Sequence, residues 1–198
     1  MNRSSRQNGT ASRRLVLTRA LDLAAAGGLQ AATIGTLADA LGMSKSGVFA
    51  LFGSKDALDA AVIDAAAGLF ERAVVAPAEA APAGVARLAA RVEGWLDAAA
   101  AGHTALAVLG LDPRGLSGPV RDRLRAWRAE WRQTLRADIA EARRGGELAT
   151  ATDAAQVAFE IEALLDAAAR DAAGDGRAAA LAARAGIEIR LQQLAAER

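Results

Sequence analysis

Apolar residues recur at helical spacing along this chain, and the pattern breaks at glycines and prolines. Val16, Leu17, Ala20, Leu23 and Ala24 follow the i, i+1, i+4, i+7, i+8 positions of one helix face. Ser12 is placed to cap that helix, and Gly27 and Gly28 to end it. A second, two-turn helix opens with Thr33 as N-cap, carries Ile34, Leu37, Ala38 and Leu41 on its apolar stripe, and stops at Gly42. Ser44 caps a third helix, Lys45 to Leu51, with Val48 inward. Gly53 closes it, and Ser54 caps a fourth that begins at Lys55 with Asp56 in its first turn.

The fourth helix carries Leu58, Val62, Ala65, Leu69 and Val74 and is broken by Pro77 and Pro82. Further helices are expected over 84–101, 103–109, from Val120 to the Gly145-Gly146 stop, over 152–173 and over 177–196. The clearest loop is GLDPRGLSGP. The seventh helix repeats Val120, Leu124, Trp127, Trp131, Leu135, Ile139 and Ala142. A row of arginines (121, 125, 128, 132, 136) lies on its other faces and reads as a solvated face paired with Asp122, Glu130 and Asp138. In the last helix Leu181, Ala182, Ala185, Ile189 and Leu194 mark one face, while Ile187 and Leu191 point elsewhere. Apolar residues on more than one side imply two burial partners, one inside the chain and one outside.

Composition narrows the class. Hydrophobic residues make up 53% of the 198, alanine dominates, and aromatics are only 4%. With β-branched residues sparse, an all-α protein of about nine helices is expected. The absence of cysteine excludes disulfides and thiolate metal sites. No apolar run reaches the ~20 residues of a membrane span, and MNRSSRQNGTASRR has no apolar segment behind it. A cytoplasmic protein with no membrane partner is therefore expected. An enzyme needs an acid–base or nucleophilic constellation, and this chain has one His, no Cys, no Tyr and no phosphate-cradling glycine motif. The expectation is no enzymatic activity, no cofactor and no metal.

Charge then points to a partner. Residues 1–55 carry seven Lys/Arg against two Asp, a balance of +5, while the remainder balances at −4. A basic head on a mildly acidic body suits contact of the head alone with a polyanion. Lys45 and Lys55 are the only lysines in the chain, and they bracket the third helix. Two short helices joined by a Gly-containing turn form a helix-turn-helix. Helix N-termini present N–H groups and a positive dipole end to phosphate, and Thr33, Ser44 and Ser46 add hydroxyls. Lys45 opens the segment that would reach base edges in a major groove, and Lys55 lies where backbone phosphates would be met. Gly47 and Ala50 are small enough to permit close approach. The expected organisation is a disordered basic tail (1–11), a helix-turn-helix domain (12–58) whose fourth helix, from 55, bridges onward, and a helical domain (59–198).

Residues 12–70 resemble the DNA-binding domain of TetR/AcrR-family transcriptional regulators. The match lies in an amphipathic first helix ending at glycine, a Thr-initiated second helix, and the run Gly42-Met43-Ser44-Lys45-Ser46-Gly47-Val48-Phe49-Ala50-Leu51-Phe52-Gly53-Ser54-Lys55. The resemblance implies phosphate contacts at Thr33 and Lys55, and groove-facing positions at Lys45, Ser46, Phe49, Ala50 and Leu51. The family commonly has tyrosine where Phe49 stands and histidine where Leu51 stands, so two polar anchors are missing. Arg13 and Arg14, or Arg3 and Arg6, could compensate.

The resemblance further implies a ligand-responsive regulator, a repressor in its usual form. It would bind a palindromic double-stranded DNA operator as a homodimer joined through the last two helices. An effector pocket for a small molecule of unknown identity is expected among the middle helices, with Phe70, Trp95, His103, Leu106, Trp127, Trp131 and Phe159 as candidate lining; a plain core role is equally open to each. Glu160 and Glu162 are unusual in so apolar a helix and are candidates for a cationic effector, for solvent or for an interface. The alternative class is a helical interaction or dimerisation protein without specific DNA binding. Such a protein would not need its lysines confined to the reading helix.

Overall fold

The computed structural model describes residues 3–101, 103–110, 112–171 and 176–196, with no strand among them. The order is α1 (Arg3–Gly27), α2 (Ile34–Leu41), α3 (Lys45–Phe52) and α4 (Lys55–Phe70), which runs on through a π-helical turn (Glu71–Val75) into a single turn, α5 (Ala76–Ala78). Then come α6 (Val85–Ala100), α7 (Thr104–Leu109), a 3-10 turn (Pro113–Gly115), α8 (Gly118–Arg144), α9 (Ala154–Asp171) and α10 (Gly176–Ala196). No described helix is long and apolar enough to cross a membrane.

The contacts divide the chain into two compact units, 1–69 with 107–125, and 70–106 with 126–198. The boundary expected at 58/59 falls inside α4. The first unit instead keeps most of α4, because Leu58, Val62, Ile63 and Ala66 are all buried. The tail expected over 1–11 is corrected from residue 3 onward: α1 starts at Arg3, not at a Ser12 cap. No proline interrupts 3–12, and a single interior glycine, Gly9, costs only about 1 kcal/mol.

In the first unit, Val16, Ala20 and Ala24 of α1 are buried, as are Leu37 and Ala38 of α2, Val48 of α3 and Leu58 of α4. Lys55 fastens this arrangement. Its Nζ donates to the Leu29 carbonyl at 2.8 Å and pairs with Asp59 one turn along α4. Burial raises the Asp59 pKa, and the hydrogen bond and charge of Lys55 act against that rise. Arg123 on α8 pairs with Asp64 on α4 within the same unit.

The second unit is built around a buried guanidinium. Arg91 on α6 donates from Nε to Asp138 on α8 at 2.6 Å and from Nη1 to the Val75 carbonyl at 3.1 Å; Nη2 pairs with Glu79. Arg91 and Asp138 are each only 3% exposed. The expectation that Asp138 balances a solvated arginine row is therefore overturned. Asp138 shares the inward side of α8 with Leu135, Ile139 and Ala142, all fully buried. On α10 the inward residues are Ala183, Ile187 and Leu194, while Leu181 and Ile189 are exposed. Apolar residues thus lie on more than one side of α10, with the face of Ile187 turned inward and Leu181 and Ile189 left outside.

Two outcomes follow from these buried charges. Arg91→Leu alone is expected to destabilise the protein by about 3–5 kcal/mol, because it strands the Asp138 carboxylate in the core; adding Asp138→Leu should recover much of that loss. Urea unfolding of the three proteins measures both. Lys55→Met is expected to cost about 1–3 kcal/mol at neutral pH by leaving the Leu29 carbonyl and Asp59 without their partner. A carboxyl whose folded pKa is raised contributes stability that is lost as pH rises through that pKa, so the Lys55→Met penalty should shrink as pH falls through the raised pKa of Asp59. A penalty independent of pH would contradict this assignment.

Candidate nucleic-acid interface

The turn between α2 and α3 is set by local chemistry. Thr33 and Thr36 form a reciprocal capping box: the Thr33 hydroxyl accepts from Thr36 N–H at 3.0 Å, and the Thr36 hydroxyl accepts from Thr33 N–H at 2.9 Å. Gly42 ends α2 in the left-handed conformation (φ 62°), which an L side chain would resist. Ser44 restarts the helix, its Oγ accepting from Gly47 N–H at 3.0 Å. A Cβ at position 47 would lie 3.0 Å from that same Oγ, so the glycine makes room for the cap. The Ser46 hydroxyl lies 3.1 Å from that of Ser44. Gly53 (φ 81°) closes α3 with its N–H on the Phe49 carbonyl at 2.7 Å.

Val48 is fully buried and anchors α3 from below. The opposite side is open: Lys45, Ser46, Phe49 and Ala50 are all exposed, at i, i+1, i+4 and i+5 on one helix face. Phe49 is 50% exposed, which is unusual for so large an apolar ring. Lys45 makes no hydrogen bond or ion pair among the described residues. Its stem lies across α2, where a Cβ at Gly35 would meet Lys45 Cε at 3.7 Å.

Two expected contact residues sit differently. Lys55 is half-buried and already engaged by Leu29 and Asp59, so its ammonium faces the fold rather than open solvent. Leu51 is half-buried too, and its carbonyl accepts from Arg13 Nη1 at 2.6 Å. The Arg13 guanidinium also stacks 4.3 Å from the centroid of the Phe52 ring. Arg13 thus closes the end of α3 from α1, a role its sequence position did not reveal. Arg14 and Arg19 remain exposed; the side chains of Arg3 and Arg6 lie outside the described residues.

The expected effector-lining residues separate into groups. Phe70, Trp95 and Trp131 are buried and Trp127 is half-buried. Phe70 meets Trp127 at 5.2 Å and Trp131 at 5.0 Å between ring centroids, both edge-to-face. His103 is half-buried, and its Nδ1 accepts from Ala105 N–H at 3.2 Å, which caps the start of α7. Leu106 lies on α7, with its side chain outside the described residues. Phe159 is corrected: it is 58% exposed on α9 and lines no interior in the single chain, because Val157, Ala158 and Ile161 take the inward side. Glu160 pairs with Arg190 at 2.7 Å and Glu162 with Arg132 at 2.5 Å, so arginines of this chain already engage both acids. The side-chain amide of Gln156 and then Arg190 hold the Glu160 carboxyl below its ordinary pKa, against the effect of burial.

Comparison with known proteins bears on both halves. The model for bacterial regulatory proteins of the tetR family matches residues 16–62. The model for the tetracyclin repressor-like C-terminal domain matches residues 84–186, more than half of the chain. No curated protein matches by sequence. Among solved structures, a TetR-family regulator from Agrobacterium tumefaciens superposes with a TM-score of 0.80 at 19% identity, covering 94% of this chain and 98% of that one. A putative transcriptional regulator from Saccharomonospora viridis, in complex with choline, gives 0.78 at 21% identity over 92% and 96%. AibR, in complex with isovaleryl coenzyme A and operator DNA, gives 0.73 at 20% identity over 88% and 95%. At these identities the structures speak to fold, while the two sequence models span the reading helices and the body; the chain belongs to the TetR family of transcriptional regulators.

Proposed function

We propose that the protein is a ligand-responsive repressor that reads a palindromic operator as a homodimer and is released by a small molecule. The observation that carries this reading is the open face of α3, where Lys45 heads a row of exposed residues and has no partner among the described residues. Lys45 is assigned to a base edge at the start of the recognition helix, and Phe49 and Ala50 to apolar contact in the groove. Ser44, Ser46 and Thr33 stand at the N-termini of α3 and α2, where hydroxyls and amides suit phosphate oxygens. Gly47 keeps the helix slim at its approach. Lys55 and Leu51 act by holding the helix in place.

Phe159, Leu181 and Ile189 present large apolar side chains to solvent on α9 and α10, and a second copy of the chain would cover them. Two heads one DNA turn apart would then meet the two half-sites of a palindrome. The Phe70–Trp127–Trp131 cluster is the proposed wall of the effector site. The solved relatives that hold choline and isovaleryl coenzyme A support a small-molecule trigger. The reading is non-enzymatic and cytoplasmic.

Fluorescence anisotropy with the DNA upstream of the protein's own coding sequence tests the proposal. Lys45→Ala is expected to cost about 1–3 kcal/mol on the operator and to relax base preference at one position per half-site. An equal loss on operator and random DNA would make Lys45 a phosphate anchor instead. Phe49→Tyr, which supplies a phenolic hydroxyl, is expected to tighten operator and random DNA alike by about 1 kcal/mol. Tighter binding to the operator alone would place that ring against a base.

A further inference from the structure

The body carries a second polar site, away from the aromatic cluster and independent of DNA reading. Gln133, Arg136, Ala140 and Arg143 lie at i, i+3, i+7 and i+10 on α8, one stripe of the helix. They form one wall of a groove of about 580 Å³ whose other wall is the segment leading into α9. Five alanines complete much of its lining. The volume falls within the range of small-molecule sites, and the mixture of apolar lining with a few polar groups is their usual make-up.

Two residues of the groove's lining each carry a buried polar atom without a partner among the described residues. Arg136 Nε is buried with no hydrogen-bond partner among the described residues, and so is the hydroxyl of Thr152, a residue only 3% exposed. Arg121 Nε, near the start of α8 and outside this groove, is also without a partner among the described residues, whereas Arg123 is matched with Asp64, Arg125 with Asp122, Arg132 with Glu162 and Arg144 with Glu141. Arg143 donates to the Thr152 carbonyl at 3.2 Å and so brings a second guanidinium to the rim. The carboxylate in the lining, Asp153, turns Oδ1 onto the backbone amides of Ala155 (2.8 Å) and Gln156 (3.3 Å) at the start of α9. It forms no ion pair with Arg136. A buried guanidinium N–H and a buried hydroxyl left unsatisfied are both costly, and an acceptor with negative charge answers the guanidinium in particular.

We infer that this groove binds a small organic anion, a carboxylate or a phosphate monoester, whose charged end meets Arg136, Thr152 and Arg143 and whose short apolar body lies on the alanines. Arginine is suited to this task because its planar fork matches both oxyanions.

Calorimetry on the full-length protein with hexanoate, hexyl phosphate and hexanol tests the inference. Saturable binding of hexanoate or hexyl phosphate, but not of hexanol, is expected, and the arm that binds identifies the headgroup. R136Q should weaken that binding at least tenfold, while R125Q, on a surface arginine paired with Asp122, should leave it unchanged. Gln133→Glu supplies an internal carboxylate one turn from Arg136 and should abolish binding without removing the arginine; it decides the matter if R136Q does not fold. The inference is overturned if neither acid binds, if hexanol binds as tightly, if R136Q binds like the wild type, or if R125Q loses as much as R136Q. Occupation of the groove by the partner copy in the dimer would register as the first of these.

Discussion

An eight-residue helix is too short to hold itself together in water, so the direction in which α3 presents its face depends on what fixes its two ends. At the start, the left-handed Gly42 and the Ser44 cap turn the chain and satisfy the Gly47 amide. At the other end, Arg13 reaches from α1, covers the Phe52 ring and takes the Leu51 carbonyl. Val48 pins the middle. Loss of the Arg13 contacts would free the last turn of α3 while leaving every groove-facing side chain present. A basic residue in a DNA-binding head is thus committed to geometry.

The two lysines divide along the same line. Each stands at the first position of a helix, where the positive dipole end disfavours a cation by about 0.3–1 kcal/mol. Lys55 is compensated by Asp59, by the Leu29 carbonyl and by the nearby first-turn acid Asp56. Lys45 has no such compensation, because α3 has no acidic residue in its first turn. A residue that breaks a local rule without an internal remedy marks a place where something outside the chain supplies the remedy. The polyanion proposed for the face of α3 would do so for Lys45, and Arg136, whose buried Nε lacks a partner among the described residues, raises the same question in the body.

The sequence made the helices legible because their boundaries are written in short-range chemistry. Thr33, Gly42, Ser44, Gly53 and Ser54 act within three or four residues of where they stand, and each does what its type and spacing imply. The reading failed where the deciding partner is remote. Asp138 finds Arg91 47 residues away, and Arg13 finds Leu51 across 38; neither separation has a local signature. Helical periodicity separates faces but does not say which one is inward when both carry apolar residues. On α10 only the fold decides that Ile187 turns inward and Ile189 outward, and on α9 Phe159 lies at the surface. The groove at Arg136 was invisible for the same reason, since an unpaired arginine in a row of arginines can be recognised only once the partners of the others are known.

Pairing also explains why only the head should meet DNA. The body is rich in arginine, yet Arg91, Arg132, Arg184 and Arg190 each face an acid at contact distance, so their fields cancel within a few ångströms. In the head, Lys45, Arg14 and Arg19 are exposed and carry no ion pair among the described residues. Unpaired charges project a field over about a Debye length, roughly 8 Å at physiological salt, whereas paired ones do not. The charge imbalance read from composition is therefore sharpened by the fold: these arginines of the body are cancelled by acids close by, whereas α3 has no acid in its first turn and leaves Lys45 without a counter-charge among the described residues.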